Sequence, residues 1–350
     1  MPPSGTGLRK QLALVLVAGL GACSDNGYTP STSGSSLPTA SPPPVGSTPT
    51  PPTPPSSSVP TAAFTAAQLT CAPCRKIAFT SSRDGNDEIY SVNADGTGLT
   101  RLTDDASSDD YAAWSSDGHR IAFTSDSGGE SKLVVMNADG SNVVRHALPH
   151  SVWHPTWSPD GTRITYSAVS DGSLNIWMVD ADGGWPVLLF SQQGWDGQPS
   201  WSPDGTKLAL ASDWFAYDFG FDVFLVDPDG LGFTPLTDGD IFAPVEYLWP
   251  SWSPDGTKIA LTLSNEIGID RYTMLVGVMN RDGTGLRSLI AAAPSQVGDA
   301  PRSRTSWSPD GTMIAFTSGS AGALDVSWVK LDGSTWGTII TNGWNPAWQP

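Results

Sequence analysis

From Lys76 onward the chain alternates short apolar runs with clusters of turn residues. Runs such as Ile77-Ala78-Phe79-Thr80 and Ile121-Ala122-Phe123-Thr124 are rich in β-branched and aromatic side chains, and Ile176 and Met178 lie two apart on one face. Gly, Pro, Asp and Asn bound these runs. Period two over so few residues predicts strands rather than helices.

The strands recur as one unit. The segment AWSSDGHRIAFTS from Ala113 returns as TWSPDGTRITYS from Thr156, SWSPDGTKLALAS from Ser200, SWSPDGTKIALTL from Ser251 and SWSPDGTMIAFTS from Ser306. The marker tryptophans Trp114, Trp157, Trp201, Trp252 and Trp307 stand 43, 44, 51 and 55 residues apart. Such a period signals a propeller or an array. A second motif follows each copy: EIYSVNADG from Glu88, LVVMNADG from Leu133, NIWMVDADG from Asn175, DVFLVDPDG from Asp222, LVGVMNRDG from Leu275 and DVSWVKLDG from Asp325. Six second halves accompany five complete first halves. The missing half is split between the ends: Lys76 to Ser81 matches the strand after the turn, and Pro346-Ala347-Trp348 matches the strand that carries the tryptophan. The expectation is an all-β, six-bladed propeller of four-stranded antiparallel blades, closed by the C-terminal strand joining the N-terminal blade. Closure of this kind leaves no large open sheet edge.

Within a blade, strand A ends at the marker tryptophan and meets Ser-Pro-Asp-Gly. There Pro presets φ, Asp can bond the turn amides and Gly takes the left-handed position. Strand B, strand C, an Asp-Gly turn and strand D follow. Trp114, Trp157, Trp201, Trp252, Trp307 and Trp348 are expected to pack between blades, because aromatics dominate core burial.

The residues before the repeats differ in kind. Arg9 and Lys10 precede an apolar stretch from Leu12 to Leu20, built like an export signal and too short to span a bilayer. Leu20-Gly21-Ala22-Cys23 resembles the lipobox of bacterial lipoproteins, in which the cysteine is lipidated; the alternative is an ordinary cleavage site with a chance cysteine. Residues 1–22 are therefore expected to be a signal peptide and Cys23 a lipidation site. Residues 23–70 are a Pro, Ser and Thr-rich tether, and 71–350 the propeller. The tether cannot bury enough apolar surface to order itself. As extended polyproline II at about 3.1 Å per residue, its forty residues from Ser24 to Ala63 would reach on the order of 120 Å at most. In an oxidising compartment Cys71 and Cys74 are a candidate local disulfide.

The Trp-Ser-Pro-Asp-Gly pattern, linked to Ile-Ala-Phe-Thr-Ser and to the later Asp-Gly motif, resembles the TolB-type β-propeller family, also known as the PD40 or WD40-like repeat. The likeness covers roughly residues 75 to 350. It implies the propeller fold and an extracytoplasmic compartment in the bacterial cell envelope. TolB itself carries an α/β domain ahead of its propeller, where this chain has the lipobox and tether.

Charge and candidate chemistry narrow the function. The formal net charge is −17, from 18 Lys and Arg against 35 Asp and Glu. Nucleic acid is excluded as a partner, since no basic stripe exists to pair with phosphates. One face of the disc carries uniform Ser-Pro-Asp-Gly and Asp-Gly turns. The other carries the variable B–C loops, among them Ser81 to Glu88, Ser212 to Phe221 and Ser264 to Tyr272. It also carries the D–A loops His146 to Pro155, Asp238 to Pro250 and Ile290 to Thr305. Function concentrates in variable loops on a rigid scaffold. Just before strand A, near the channel mouth, stand Tyr111, Trp153, His154, Trp195, Trp249 and Trp344. Trp214 and Tyr217 lie in one B–C loop, and Arg302 and Arg304 form a basic pair. Exposed aromatics interleaved with acids suit a peptide, a basic protein surface or a sugar. The alternative is that several of them plug the channel.

His150 and His154 sit in a Pro-bounded loop with no third ligand, so a metal site is not expected. Asp84, Asn86 and Glu88, and the acidic run Asp104 to Asp110, raise calcium as a candidate, but neither follows a full calcium-loop pattern. No cofactor and no catalytic residue is expected. The sequence points to a lipid-anchored envelope module that binds a protein or peptide without catalysis. A carbohydrate-binding or carbohydrate-active propeller, lyase or hydrolase, is the rival, with a glycan at the channel mouth.

Overall fold

The computed structural model describes residues 75–192, 194–214, 220–237, 245–268, 271–290, 304–320 and 323–350. These form six four-stranded antiparallel sheets. Blade 1 contains β1 (Lys76–Ser81), β2 (Glu88–Asn93) and β3 (Thr100–Arg101), and blade 2 β4 (Ser108–Trp114), β5 (Arg120–Asp126), β6 (Ser131–Asn137) and β7 (Val144–Arg145). Blade 3 runs β8 (Val152–Trp157), β9 (Arg163–Ser170), β10 (Ser173–Asp180) and β11 (Val187–Phe190). Blade 4 is β12 (Asp196–Trp201), β13 (Leu208–Ser212), β14 (Asp222–Val226) and β15 (Thr234–Pro235). Blade 5 has β16 (Val245–Trp252), β17 (Lys258–Gly268), β18 (Arg271–Asn280) and β19 (Arg287–Ser288), and blade 6 β20 (Ser306–Trp307), β21 (Met313–Ser320), β22 (Ala323–Lys330) and β23 (Trp336–Thr341). The last strand, β24 (Trp344–Trp348), pairs with β1 in the order β24-β1-β2-β3 and supplies the inner strand of blade 1. The expected ring closure is thus present. The lipidation site Cys23, the pair Cys71 and Cys74, and the boundaries at 22 and 70 lie outside the described residues.

Each Ser-Pro-Asp-Gly turn is a small hydrogen-bond unit. In blade 5 the Ser253 hydroxyl donates to Asp255 at 2.6 Å and accepts the Lys258 N–H at 2.9 Å, while Asp255 also accepts the Thr257 N–H at 3.0 Å. Gly256 sits at φ +67°, where a Cβ would be strained. Equivalent bonds to Asp160 and Asp204 hold both carboxyls down at about 2. The cause is the Ser hydroxyl first, then the Thr backbone and side chain.

The marker tryptophans are buried between blades, as expected. Trp114 Nε1 donates to the Ala347 carbonyl at 3.0 Å, Trp157 to Ala113 at 3.1 Å, Trp201 to Thr165 Oγ1 at 3.0 Å and Trp307 to Ser251 at 2.9 Å. Every one of these acceptors belongs to the preceding blade. The indole therefore fills the gap between two sheets and fixes their relative height. Trp252 and Trp348 pack in the same way without such a bond, Trp252 against Ala209 and Val223, and Trp348 against Ala315 and Val326.

The inner strands extend further toward the loop face than their apolar pattern suggests. Tyr111, Trp153, His154, Trp249 and Trp344 lie inside strand A rather than before it, and Trp195 stands one residue ahead of β12. The stretch from Ser264 to Tyr272, expected as a loop, is mostly strand: β17 and β18 stay paired out to Gly268 opposite Arg271.

Candidate functional site

Five inner strands carry the same irregularity. Register slips by one residue between Asp110 and Ala113, Trp153 and Thr156, Gly197 and Ser200, Leu248 and Ser251, and across the Trp344–Ala347 segment of β24. At each bulge the residue three before the marker tryptophan has left-handed φ: Tyr111 58°, His154 54°, Gln198 57°, Trp249 54° and Asn345 51°. Asn and His enter that region more readily than other types, so Tyr111, Gln198 and Trp249 store backbone strain of about 1–3 kcal/mol each. Pro155, Pro199, Pro250 and Pro346 follow directly, and a bulge is where a strand tolerates a residue without an N–H. The bulge re-aims one side chain per blade toward the axis.

Those side chains close the channel. Trp249 of blade 5 crosses to Tyr111 of the opposite blade 2, with ring centroids 5.8 Å apart and planes 19° from parallel. His154 meets both rings edge-on at 4.6 Å. Gln198 Oε1 accepts the Trp249 N–H at 2.7 Å, which fixes the strained backbone. On the far side, Asp110 Oδ1 accepts from Thr80 Oγ1 at 2.6 Å, Tyr111 N at 2.7 Å and Asn345 Nδ2 at 2.9 Å. Arg304 of blade 6 donates through Nη1 to the Ala112 carbonyl at 2.6 Å, so its guanidinium also spans the axis.

Burial shifts the titration of this plug. His154 is pushed down to about 3 by desolvation and by the nearby Arg304 charge, so it is neutral throughout the physiological range. Arg304 is lowered to about 10 by burial, against the opposing pull of Asp110 and Tyr111, and remains charged. Because the unfolded chain takes up a proton near pH 6.5 and the folded His154 does not, stability present above pH 6.5 is lost as pH falls. His146 and His150, also lowered by burial, act in the same direction. Asp109 and Asp196, both raised to about 6 by burial, act in the opposite one. His154→Gln, the residue blade 4 uses at this position, is expected to remove about 2 kcal/mol of the loss between pH 6.5 and 5. Urea unfolding of both proteins across that range measures the difference; parallel curves would show that His154 is not buried neutral.

Of the residues expected at an exposed mouth, the structure gathers Tyr111, His154 and Trp249 at the axis, with His154 and Trp249 buried and Tyr111 half-buried against them, the arrangement of a plug. Trp195 and Trp344 are buried as well, and Trp153 is half-buried. They offer no open aromatic platform, because the bulged inner strands draw them into the ring. Trp214 is 38% exposed on blade 4, edge-on to Phe233 at 5.1 Å. Tyr217 and Arg302 lie outside the described residues. Gln198 and Asn345 were not anticipated, being neither aromatic nor charged. The fixed offset of three from each tryptophan, with proline next, was the available signal.

The histidines separate. His150 lies against Trp177, ring centroids 4.2 Å apart and planes tilted by 42°, while His154 belongs to the plug. The candidate calcium ligands have other partners. Glu88 accepts from Thr103 and from Arg101 at 2.8 Å, Asp84 accepts from the Tyr90 hydroxyl at 2.5 Å, and Asn86 donates to the Asp105 carbonyl at 2.9 Å. Among the described residues no three His, Cys, Asp or Glu side chains are grouped to hold a metal ion.

A ring of six blades with a plugged axis and loops displayed on one face defines a β-propeller scaffold. Residues 67–154 and 147–350 match the PD40 family, the TolB beta propeller domain, and the chain belongs to that family. TolB from Acinetobacter baumannii superposes with a TM-score of 0.63 at 17% identity, over 79% of this chain and 67% of that one. A putative TolB from Agrobacterium tumefaciens gives 0.56 at 19%, over 77% and 90%. An oligogalacturonate lyase in complex with manganese gives 0.53 at 14%, over 75% and 72%. At these identities the likeness is one of fold. No curated protein matches the chain in sequence.

Proposed function

We propose that this chain is a lipid-anchored propeller of the bacterial cell envelope that binds a protein partner through its loop-rich face, without catalysis. The observation that carries this reading is the β17–β18 hairpin. Strand B of blade 4 ends at Ser212, whereas its counterpart β17 runs five residues further, to Gly268, which at about 3.3 Å per residue is roughly 17 Å of additional arm. An arm that projects beyond its counterpart in the neighbouring blade offers a paired backbone to a large surface. Membership in the TolB beta propeller family supports an envelope role. The Leu20-Gly21-Ala22-Cys23 sequence and the Pro-rich tether after it support attachment to a membrane by lipid, with the propeller held away from it.

The test replaces residues 265–273 with a two-residue Asn-Gly turn, which keeps Ser264 opposite Met274, and compares envelope proteins retained by the variant and the parent chain. The expected result is loss of a specific partner with thermal unfolding unchanged. The docking reading fails if retention is the same for both, or if the parent turns over a polysaccharide and loses that activity with His150→Ala and His154→Ala.

A further inference from the structure

Below the plug, toward the Ser-Pro-Asp-Gly turns, the inner strands of blades 3 to 6 enclose a cavity of about 60 Å³ that is partly open to solvent. His154, Gln198, Trp249, Arg304 and Thr305 are among its walls, and the rest are Ser and Pro residues from the same strands. The volume exceeds what one water needs and suits a few waters or one small polar group.

The charge of this wall is unusual for the molecule. In a chain of formal net charge −17, the described residues of the lining include no carboxylate, and with His154 neutral the one formal charge among them is the Arg304 guanidinium. That group has five N–H donors. Among the described residues it has one hydrogen-bond partner, the Ala112 carbonyl, and no ion pair. Asp110 supplies some favourable charge from a distance, but its Oδ1 already accepts from Thr80, Tyr111 and Asn345. A largely desolvated guanidinium beside a polar cavity, with donors unspent, matches the fork geometry of a carboxylate. Thr305 Oγ1 is turned away to the Trp249 carbonyl at 3.1 Å, leaving Arg304 as the feature that selects the ligand.

We propose that this cavity is a carboxylate-binding site, with the acid group seated against Arg304 and the remainder of the ligand leading toward the turn face. The site lies on the opposite side of the plug from the loop-rich face, so it is independent of the docking reading. The carboxylate could belong to a free small acid, to a uronic acid or to a peptide C-terminus, and the chemistry at Arg304 is shared by all three.

The experiment uses the full chain carrying Cys23→Ser, which removes lipid from the measurement. Acetate, galacturonate and triglycine are titrated by calorimetry at constant ionic strength held with chloride, with triglycine amide as the uncharged control. The expected result is saturable binding of at least one carboxylate, weakened tenfold or more in Arg304→Gln and less in Arg304→Lys, which keeps the charge but loses the fork. Preference for galacturonate or for triglycine over acetate identifies which source extends furthest along the channel. Absence of saturable binding by the parent chain overturns the proposal whatever the variants do. So does equal binding by parent and Arg304→Gln, or equal binding of triglycine and its amide.

Discussion

Ending the chain at Gly343 is expected to abolish cooperative folding. All five residues of β24 are buried, and its partners in register are Ile77 to Trp348, Ala78 to Ala347 and Thr80 to Trp344. Removing the strand exposes one edge of β1 and strips Trp348 from a cluster that includes Ile77, Phe79, Ala315 and Val326. It also removes the Ala347 carbonyl that accepts from Trp114 in blade 2 and the Asn345 amide that holds Asp110. Burying two tryptophans at 150–250 Å² each is worth about 8–12 kcal/mol by area, an upper estimate. Whole domains are stable by only about 5–15 kcal/mol. The loss therefore approaches the total, and it falls where the ring is sealed. Circular dichroism and calorimetry should show a broad, weak transition or none; a single sharp transition within a few degrees of the full chain would refute the closure.

Trp249→Ala is expected to cost about 3–5 kcal/mol, the range for emptying a buried aromatic site. Trp249 is 5% exposed and holds both Tyr111 and His154 in contact, so its removal opens the axis as well as a cavity. Two further readouts separate this effect from a simple loss of packing. Alanine keeps the strained left-handed backbone whereas glycine does not, so Trp249→Gly should be about 1 kcal/mol more stable than Trp249→Ala, the reverse of the usual order inside a strand. Water admitted by either change should raise the His154 pKa from about 3 toward its ordinary value, observable as a histidine titration by NMR. Unfolding midpoints in denaturant measure the first comparison. An alanine variant as stable as the parent, with His154 still neutral at pH 5, would mean that Trp249 does not close the channel.

Much of the fold was legible because a propeller blade repeats its local chemistry. Ser-Pro-Asp-Gly encodes its own turn through Ser253-type and Asp255-type hydrogen bonds, all within six residues. The split first blade was legible from Lys76 to Ser81 at one end and Pro346-Ala347-Trp348 at the other. The site was less so. Tyr111 and Trp249 look like part of an exposed aromatic mouth when only residue types and order are considered, but a bulge turns one residue per strand inward, which buries Trp249 and half-buries Tyr111. The bulge left a trace in Pro155, Pro199, Pro250 and Pro346, but proline alone does not state which neighbour turns to the axis.

What the amino-acid order determined unaided is the count of blades, their turns, their closure and the tryptophans between them. Each follows from contacts within a blade or from one motif repeated at a regular period. The meeting of Trp249 with Tyr111 across the axis, and the placing of the Arg304 charge in a wall whose described residues include no carboxylate, were decided only by tertiary structure. These residues come from different blades and are up to 193 positions apart, as Tyr111 and Arg304 are. Their proximity depends on the radius of the closed ring, a property of all six sheets together that no local pattern carries.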